Sequence, residues 1–265
     1  MSVALLGVPY DDSSSYRRGP AKAPAAIRAE WDRAVQYSNL TTESGIDLSA
    51  PNLLRDAGDV RCGPAAETRA SIEESVGQLL DAGERPLLLG GDHSLTYPAL
   101  RAANARYGQL DVLHFDAHPD LYPQLDGDKY SHACAFTRSL ERGLIDRLVQ
   151  VGIRTANRPQ REVAEQYGVE QLTMANWKSG SAFFFERPVW ISLDLDALDP
   201  AFAPGVSHPE PGGLSVRDVI GVLQRLGGNV IGADLVEYNP DTDIQGVTAP
   251  ICFKLIKELA AVLLQ

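Results

Sequence analysis

Residues 111–122 read DVLHFDAHPDLY. A largely apolar run, Val112 to Phe115, passes directly into Asp116, His118 and Asp120. In an extended backbone, side chains at i, i+2 and i+4 point to one side. Pro119 keeps the residue before it out of the helical region. The three polar side chains therefore converge if the backbone stays extended past the strand. A polar loop after a strand explains the same residues equally well, so the rest of the chain has to decide.

Working outward, short apolar runs of the same kind recur at 3–8, 86–91, 148–153, 169–174, 189–195 and 229–237, with a weaker one near Asn52–Asp56. Between them lie amphipathic stretches such as AAETRASIEESVGQLLDAG, LSVRDVIGVLQRLGG and PICFKLIKELAAVLL. Several end at Gly, a common helix stop. Strands alternating with helices predict βαβ units, hence an α/β class with a mostly parallel sheet covered on both faces. No internal repeat or linker-like segment interrupts residues 1–265, so one domain is expected.

Composition narrows the function. A formal charge of −11 lacks the basic footprint that phosphate binding requires, which argues against nucleic acid as a partner and is compatible with a cationic substrate. No run approaches the roughly 18 apolar residues of a membrane span. Cys62, Cys134 and Cys252 are odd in number and widely spaced, as expected of reduced thiols. With no basic region ahead of the short first apolar run, a cytoplasmic protein is expected.

In open parallel sheets, ligands bind outside the carboxyl ends of the strands. PLLLGG leads to Asp92 and His93, the 110–115 run to Asp116, His118 and Asp120, and VWISL to Asp194 and Asp196. A fourth run ends at Glu237. Each has an innocent alternative. Asp92 or Ser94 can cap the next helix, DLDALDP can be a turn cluster, and Glu237 can be a solvated strand end. Their joint occurrence at one end of the sheet is harder to dismiss. Four carboxylates in one crevice repel and raise each other's pKa unless cations neutralise them, and two divalent ions balance four charges. A carboxylate-rich set with two imidazoles suits Mn²⁺ better than structural zinc, with Co²⁺, Fe²⁺ or Zn²⁺ open from ligand type alone.

GGDHS, DAHPD and SLDLDALDPAFAPGVSHPEPGGLS resemble the metal-binding motifs of the ureohydrolases, the arginase/agmatinase family. YSHACAF and LVEYNP resemble two further motifs, in the family's order. DAHPDLYPQLDGDKYSHACAF and GADLVEYNP are most similar to plant-type arginases. The resemblance implies an arginase-like three-layer α/β/α fold, usually assembled as trimers or hexamers, and two Mn²⁺ ions per chain. His93, Asp116, Asp120 and Asp194 would hold one ion. His118, Asp116, Asp194 and Asp196 would hold the other. His132 would shuttle protons, Glu237 would receive the guanidinium, and Asp120 would also orient the nucleophile and take its proton. The products would be urea and an amine.

Two departures bear on the substrate. Tyr122 stands where animal arginases carry an Asn that helps hold the substrate's α-carboxylate, and Ala133 stands where the family often has Gly. The plant-type resemblance favours arginine, with agmatine next and guanidinobutyrate behind. A non-catalytic metal-binding protein on the same scaffold would be signalled by lost ligands, and none is missing. A phosphoester hydrolase would need a basic or Gly-rich phosphate cradle. His114, on a strand, and His208, in a Pro-rich loop, are read as structural. Cys134 is read as a small buried hydrophobe.

Overall fold

The apolar runs become the strands of an eight-stranded sheet in a computed structural model that describes residues 2–37 and 39–265. The strands are β1 Val3–Gly7, β2 Leu54–Asp59, β3 Arg85–Leu89, β4 Leu110–Phe115, β5 Ile145–Val151, β6 Glu170–Leu172, β7 Val189–Asp194 and β8 Val230–Val236. Their order is β2-β1-β3-β8-β7-β4-β5-β6, and each strand pairing is parallel. Helices α1 Ala23–Gln36, α2 Ala65–Asp81, α3 Thr96–Tyr107, α4 Ala135–Glu141, α5 Arg158–Tyr167, α6 Val216–Leu223 and α7 Thr248–Leu263 connect them.

Because successive strand residues face opposite sides, each central strand supplies two cores. Leu5, Leu89, Leu113, Phe115 and Ile191 pack beneath α1, α6 and α7, while Leu6, Leu88, Val112, Trp190 and Ile231 pack beneath α2 to α5. This is the three-layer α/β/α arrangement expected from the alternation. Among the described residues, no helix is long and apolar enough to cross a membrane.

The elements that differ from expectation have local causes. β2 carries the polar sequence LRDAGD because it is the sheet edge and four of its six residues are exposed. α6 is shorter than its pattern suggests. A capping box between Ser215 and Asp218 starts it, and Gly227 already pairs with Phe184. α4 begins after a 3₁₀ turn over His132–Cys134.

The register positions the site. Leu89 lies opposite Leu235, Leu235 opposite Leu193, and Leu193 opposite Phe115. These four residues form a row across β3, β8, β7 and β4, which are adjacent. The next residue of each strand, Gly90, Val236, Asp194 and Asp116, therefore emerges at the same level. Every polar cluster singled out above follows one of these four strands.

Candidate active site

After β3 the chain must pass close to two other backbones. A Cβ on Gly90 would stand 2.7 Å from the Leu235 carbonyl oxygen, and one on Gly91 only 1.7 Å from that of Tyr10. Only glycine permits this approach. The Asp92 amide then donates to the Tyr10 carbonyl at 2.9 Å. The Asp92 side chain accepts from the Ser94 amide at 3.1 Å, the capping role expected of it.

This turn aims His93 into the row of carboxylates. Its Nδ1 lies 3.0 Å from Asp120 Oδ2, 3.2 Å from Asp194 Oδ2 and 3.4 Å from Asp116 Oδ2. The other face of the ring fixes the tautomer. Ser192 Oγ donates to Asp234 Oδ1 at 2.6 Å, so it accepts from His93 Nε2–H at 2.9 Å. Asp234 is held in turn by the Trp190 indole N–H at 2.7 Å. With Nε2 protonated, the buried Nδ1 directs a lone pair at three carboxylate oxygens and has no hydrogen-bond partner. Burial opposes a charge on His93, but the three carboxylates outweigh it and hold its pKa well above the ordinary value. The position demands a cation, either a proton or a metal ion.

A second cluster adjoins the first. His118 Nδ1 lies 3.0 Å from Asp196 Oδ2 and 3.4 Å from Asp116 Oδ1. Asp116 thus faces both histidines. Burial raises Asp196 to about 6 against the opposing pull of His118, and burial with the charges of Asp196 and Asp116 lifts Asp194 well above its usual value. The backbone does not stay extended through this segment. Asp120 adopts a left-handed conformation, φ 50°, and that turn, rather than strand alternation, carries its carboxylate to His93.

His114, read as structural, is tied to the same carboxylate. Gln150 Nε2 donates to the Pro119 carbonyl at 2.7 Å and to His114 Nδ1 at 3.0 Å. His114 Nε2–H must then donate to Asp116 Oδ2, at 2.9 Å. The spacing carried a signal for this contact, since residues 114 and 116 share a strand face.

Glu237, with φ 63°, turns its carboxylate back over the end of β8. Its Oε1 accepts the His93 amide at 2.9 Å and faces His132 Nδ1 at 3.2 Å, while its buried Oε2 has no partner. Burial disfavours a charge on His132, yet Glu237 prevails and raises it to about 9. His132 Nε2 pairs with the Ser15 hydroxyl at 2.9 Å. His208 stacks on His132 with ring centroids 5.2 Å apart. All five histidines of the chain therefore meet here.

These groups open into a cavity of about 260 Å³. Its inner end is the carboxylate and imidazole set. Its outer end is uncharged and carries Tyr122, Thr155, Asn157 and Gln160. Asn157 caps α5 and donates to the Tyr122 hydroxyl at 2.5 Å. Ser15, His208, Asn157 and Gln160 were not foreseen, because each reaches the cavity from a loop or a helix start whose placement no local pattern encodes.

A model of the family described as "Arginase family" matches residues 1–261. This chain belongs to the arginase family. Among its relatives, "Arginase 1, mitochondrial" of Arabidopsis thaliana is 46% identical over 98% of this chain and 80% of its own length. The structure of an arginase from Medicago truncatula superposes with a TM-score of 0.92 at 42% identity, covering 99% of this chain and 87% of the other. A hypothetical agmatinase from Burkholderia thailandensis superposes at 0.87 with 32% identity, covering 100% and 86%. The layered sheet described above is thus the arginase-like fold.

One expectation is corrected. Several plant arginases among the relatives are named mitochondrial or chloroplastic/mitochondrial, which contradicts the expectation of a cytoplasmic protein. The three cysteines are free, but reduced thiols do not distinguish one reducing compartment from another.

Proposed function

We propose that residues 1–265 form one ureohydrolase domain that binds two Mn²⁺ ions and hydrolyses arginine to ornithine and urea. The observation that carries the guanidinium reading is the buried, unpartnered Oε2 of Glu237, which lines the cavity beside the carboxylates. A buried acceptor without a donor is costly, and a planar cation with several N–H groups satisfies it.

The donor set fits two hard cations. His93, Asp116, Asp120 and Asp194 would hold one, and His118, Asp116, Asp194 and Asp196 the other. The lone pair of His93 Nδ1 among carboxylate oxygens is the feature that such an ion resolves. When bound, the pair supplies Lewis-acid activation of water near neutral pH. Glu237 orients the guanidinium and offsets its charge. Asp120 takes the proton of the attacking water. His132, hydrogen-bonded to Ser15 and facing Glu237, delivers a proton to the departing amine as the carbon–nitrogen bond breaks.

Arginine is preferred over agmatine because the most similar relatives include arginases at about 45% identity. The outer cavity adds support. Its amides and hydroxyls beside the start of α5 suit a zwitterionic end, since a helix N-terminus favours a carboxylate. Homotrimers or hexamers follow from the resemblance, and sedimentation of the purified chain tests that. The deciding assay is urea release from arginine, agmatine and 4-guanidinobutyrate after chelation and Mn²⁺ add-back. Arginine should give the highest kcat/KM, and activity should vanish on chelation and return with two ions per chain. Agmatine exceeding arginine by about tenfold or more would replace arginine as the substrate.

A further inference from the structure

His208 enters the cavity from the loop between β7 and α6, and the proposed chemistry leaves it unused. Its ring lies between the two halves of the site, 5.2 Å from the His132 ring and 6.2 Å from that of His118. A ring nitrogen of His208, one of His132 and a carboxylate oxygen of Glu237 lie within 4.8 Å of one another. Neither nitrogen of His208 has a hydrogen-bond partner among the described residues, and the ring borders the cavity.

The loop that carries His208 is fastened to the segment that carries Glu237. Val206 bridges to Tyr238. Ser207 donates to the Arg17 carbonyl at 2.9 Å and accepts from Asn239 Nδ2 at 2.9 Å. The two side chains are therefore held in fixed relation before any ligand arrives.

The acceptors available to a guanidinium are otherwise few. A singly substituted guanidinium presents five N–H donors in a rigid plane. Glu237 Oε1 already takes the His93 amide and faces His132, which leaves only Oε2. N–H groups on neighbouring edges of the plane diverge, so acceptors that serve two edges must stand a few ångströms apart. A ring nitrogen of His208 and a carboxylate oxygen of Glu237 lie within 4.8 Å of each other, close enough for one planar ligand to reach both side chains.

We infer that His208 is a second acceptor for the substrate's guanidinium, working with Glu237 Oε2 to select a planar cation with several donors. The inference rests on the guanidino reading of the site and adds the residue that recognises the group's other edge. The bland alternative is that His208 only buttresses the His132 ring.

His208→Phe separates the two, because phenylalanine keeps a stacking ring and removes the acceptor. His208→Gln keeps an acceptor and removes the ring. The probes are KM for arginine and the binding of guanidinium chloride to the Mn²⁺-loaded protein, read by calorimetry. His208→Phe should weaken both by about tenfold or more, the size of one hydrogen bond to a charged group. His208→Gln should restore part of the loss, with kcat less affected than KM in each variant. Unchanged KM and guanidinium affinity in His208→Phe would overturn the inference while leaving a urea-forming reaction in place. Loss of bound manganese in that variant would also overturn it, in favour of metal ligation. Guanidinium binding that depends on His208 in a protein releasing no urea would uphold it and remove the arginase reading instead.

Discussion

Ser192→Ala should loosen the first proposed metal position without touching a metal-facing atom. In the folded chain Ser192 accepts from His93 Nε2 at 2.9 Å and donates to Asp234 Oδ1 at 2.6 Å, all within a fully buried network. Removing the hydroxyl strands the His93 Nε2–H and deprives Asp234 of one donor. Each buried group left unsatisfied costs about 1–3 kcal/mol. The tautomer is affected as well. Without its acceptor, Nε2 no longer needs the proton, and a proton on Nδ1 would face the carboxylates and compete with the ion. Residues that orient a ligand from behind typically contribute about 10–100-fold in metal affinity. Manganese titration of the chelated variant should show weakening in that range at one of two positions. Urea denaturation of the metal-free protein should show a loss of about 1–3 kcal/mol. An affinity within about twofold of wild type, alongside lowered stability, would refute the argument that Ser192 sets the state of His93.

Two further outcomes follow from the scaffold. Gly232→Ala would place a Cβ 2.2 Å from the ring of fully buried Trp190, so the variant should lose about 1–3 kcal/mol in denaturant titration followed by tryptophan fluorescence; an unchanged midpoint would contradict the packing of β7 on β8. Glu43 is held at about 2 by hydrogen bonds to Arg217 and Lys254, against an ordinary value of 4.5. Its folded pKa is depressed, so its stabilisation is present above the usual carboxylate range and is lost as pH falls through about 2. Glu43 and Arg217 are exposed, so solvent screening keeps the effect small. Glu43→Gln should be slightly less stable than wild type at pH 7, with the gap narrowing towards the acid end of a series of urea melts; a gap that widens on acidification would reverse the sign.

Much of the fold was legible because parallel strands buried on both faces leave near-continuous apolar runs. β4 matches its run from Leu110 to Phe115, and β7 differs by a single residue. β2 was only faintly visible because, at the sheet edge, four of its six residues are exposed and the strand needs no apolar run. At the site, the residues nearest the strand ends were readable, since register alone brings Asp116 and Asp194 level. The convergence of Asp120 was expected for the wrong reason, because a left-handed turn is a property of one backbone position and leaves no periodic trace. His208 lies on a loop, and Asn157 and Gln160 lie at the start of α5, and their reach is fixed by distant partners such as Asn239 and Tyr122. No short stretch of sequence holds that information.

The gathering of all five histidines in one place gives the protein an internal probe. In a histidine-labelled sample every imidazole resonance would originate at the candidate site, with no signal from elsewhere to subtract. Metal loading, ligand entry and proton uptake could then be followed separately at His93, His118, His132 and His208 in the native sequence. Histidine-directed acylation would be selective for the same reason, and the order in which the rings react would map the path by which small molecules reach the carboxylates.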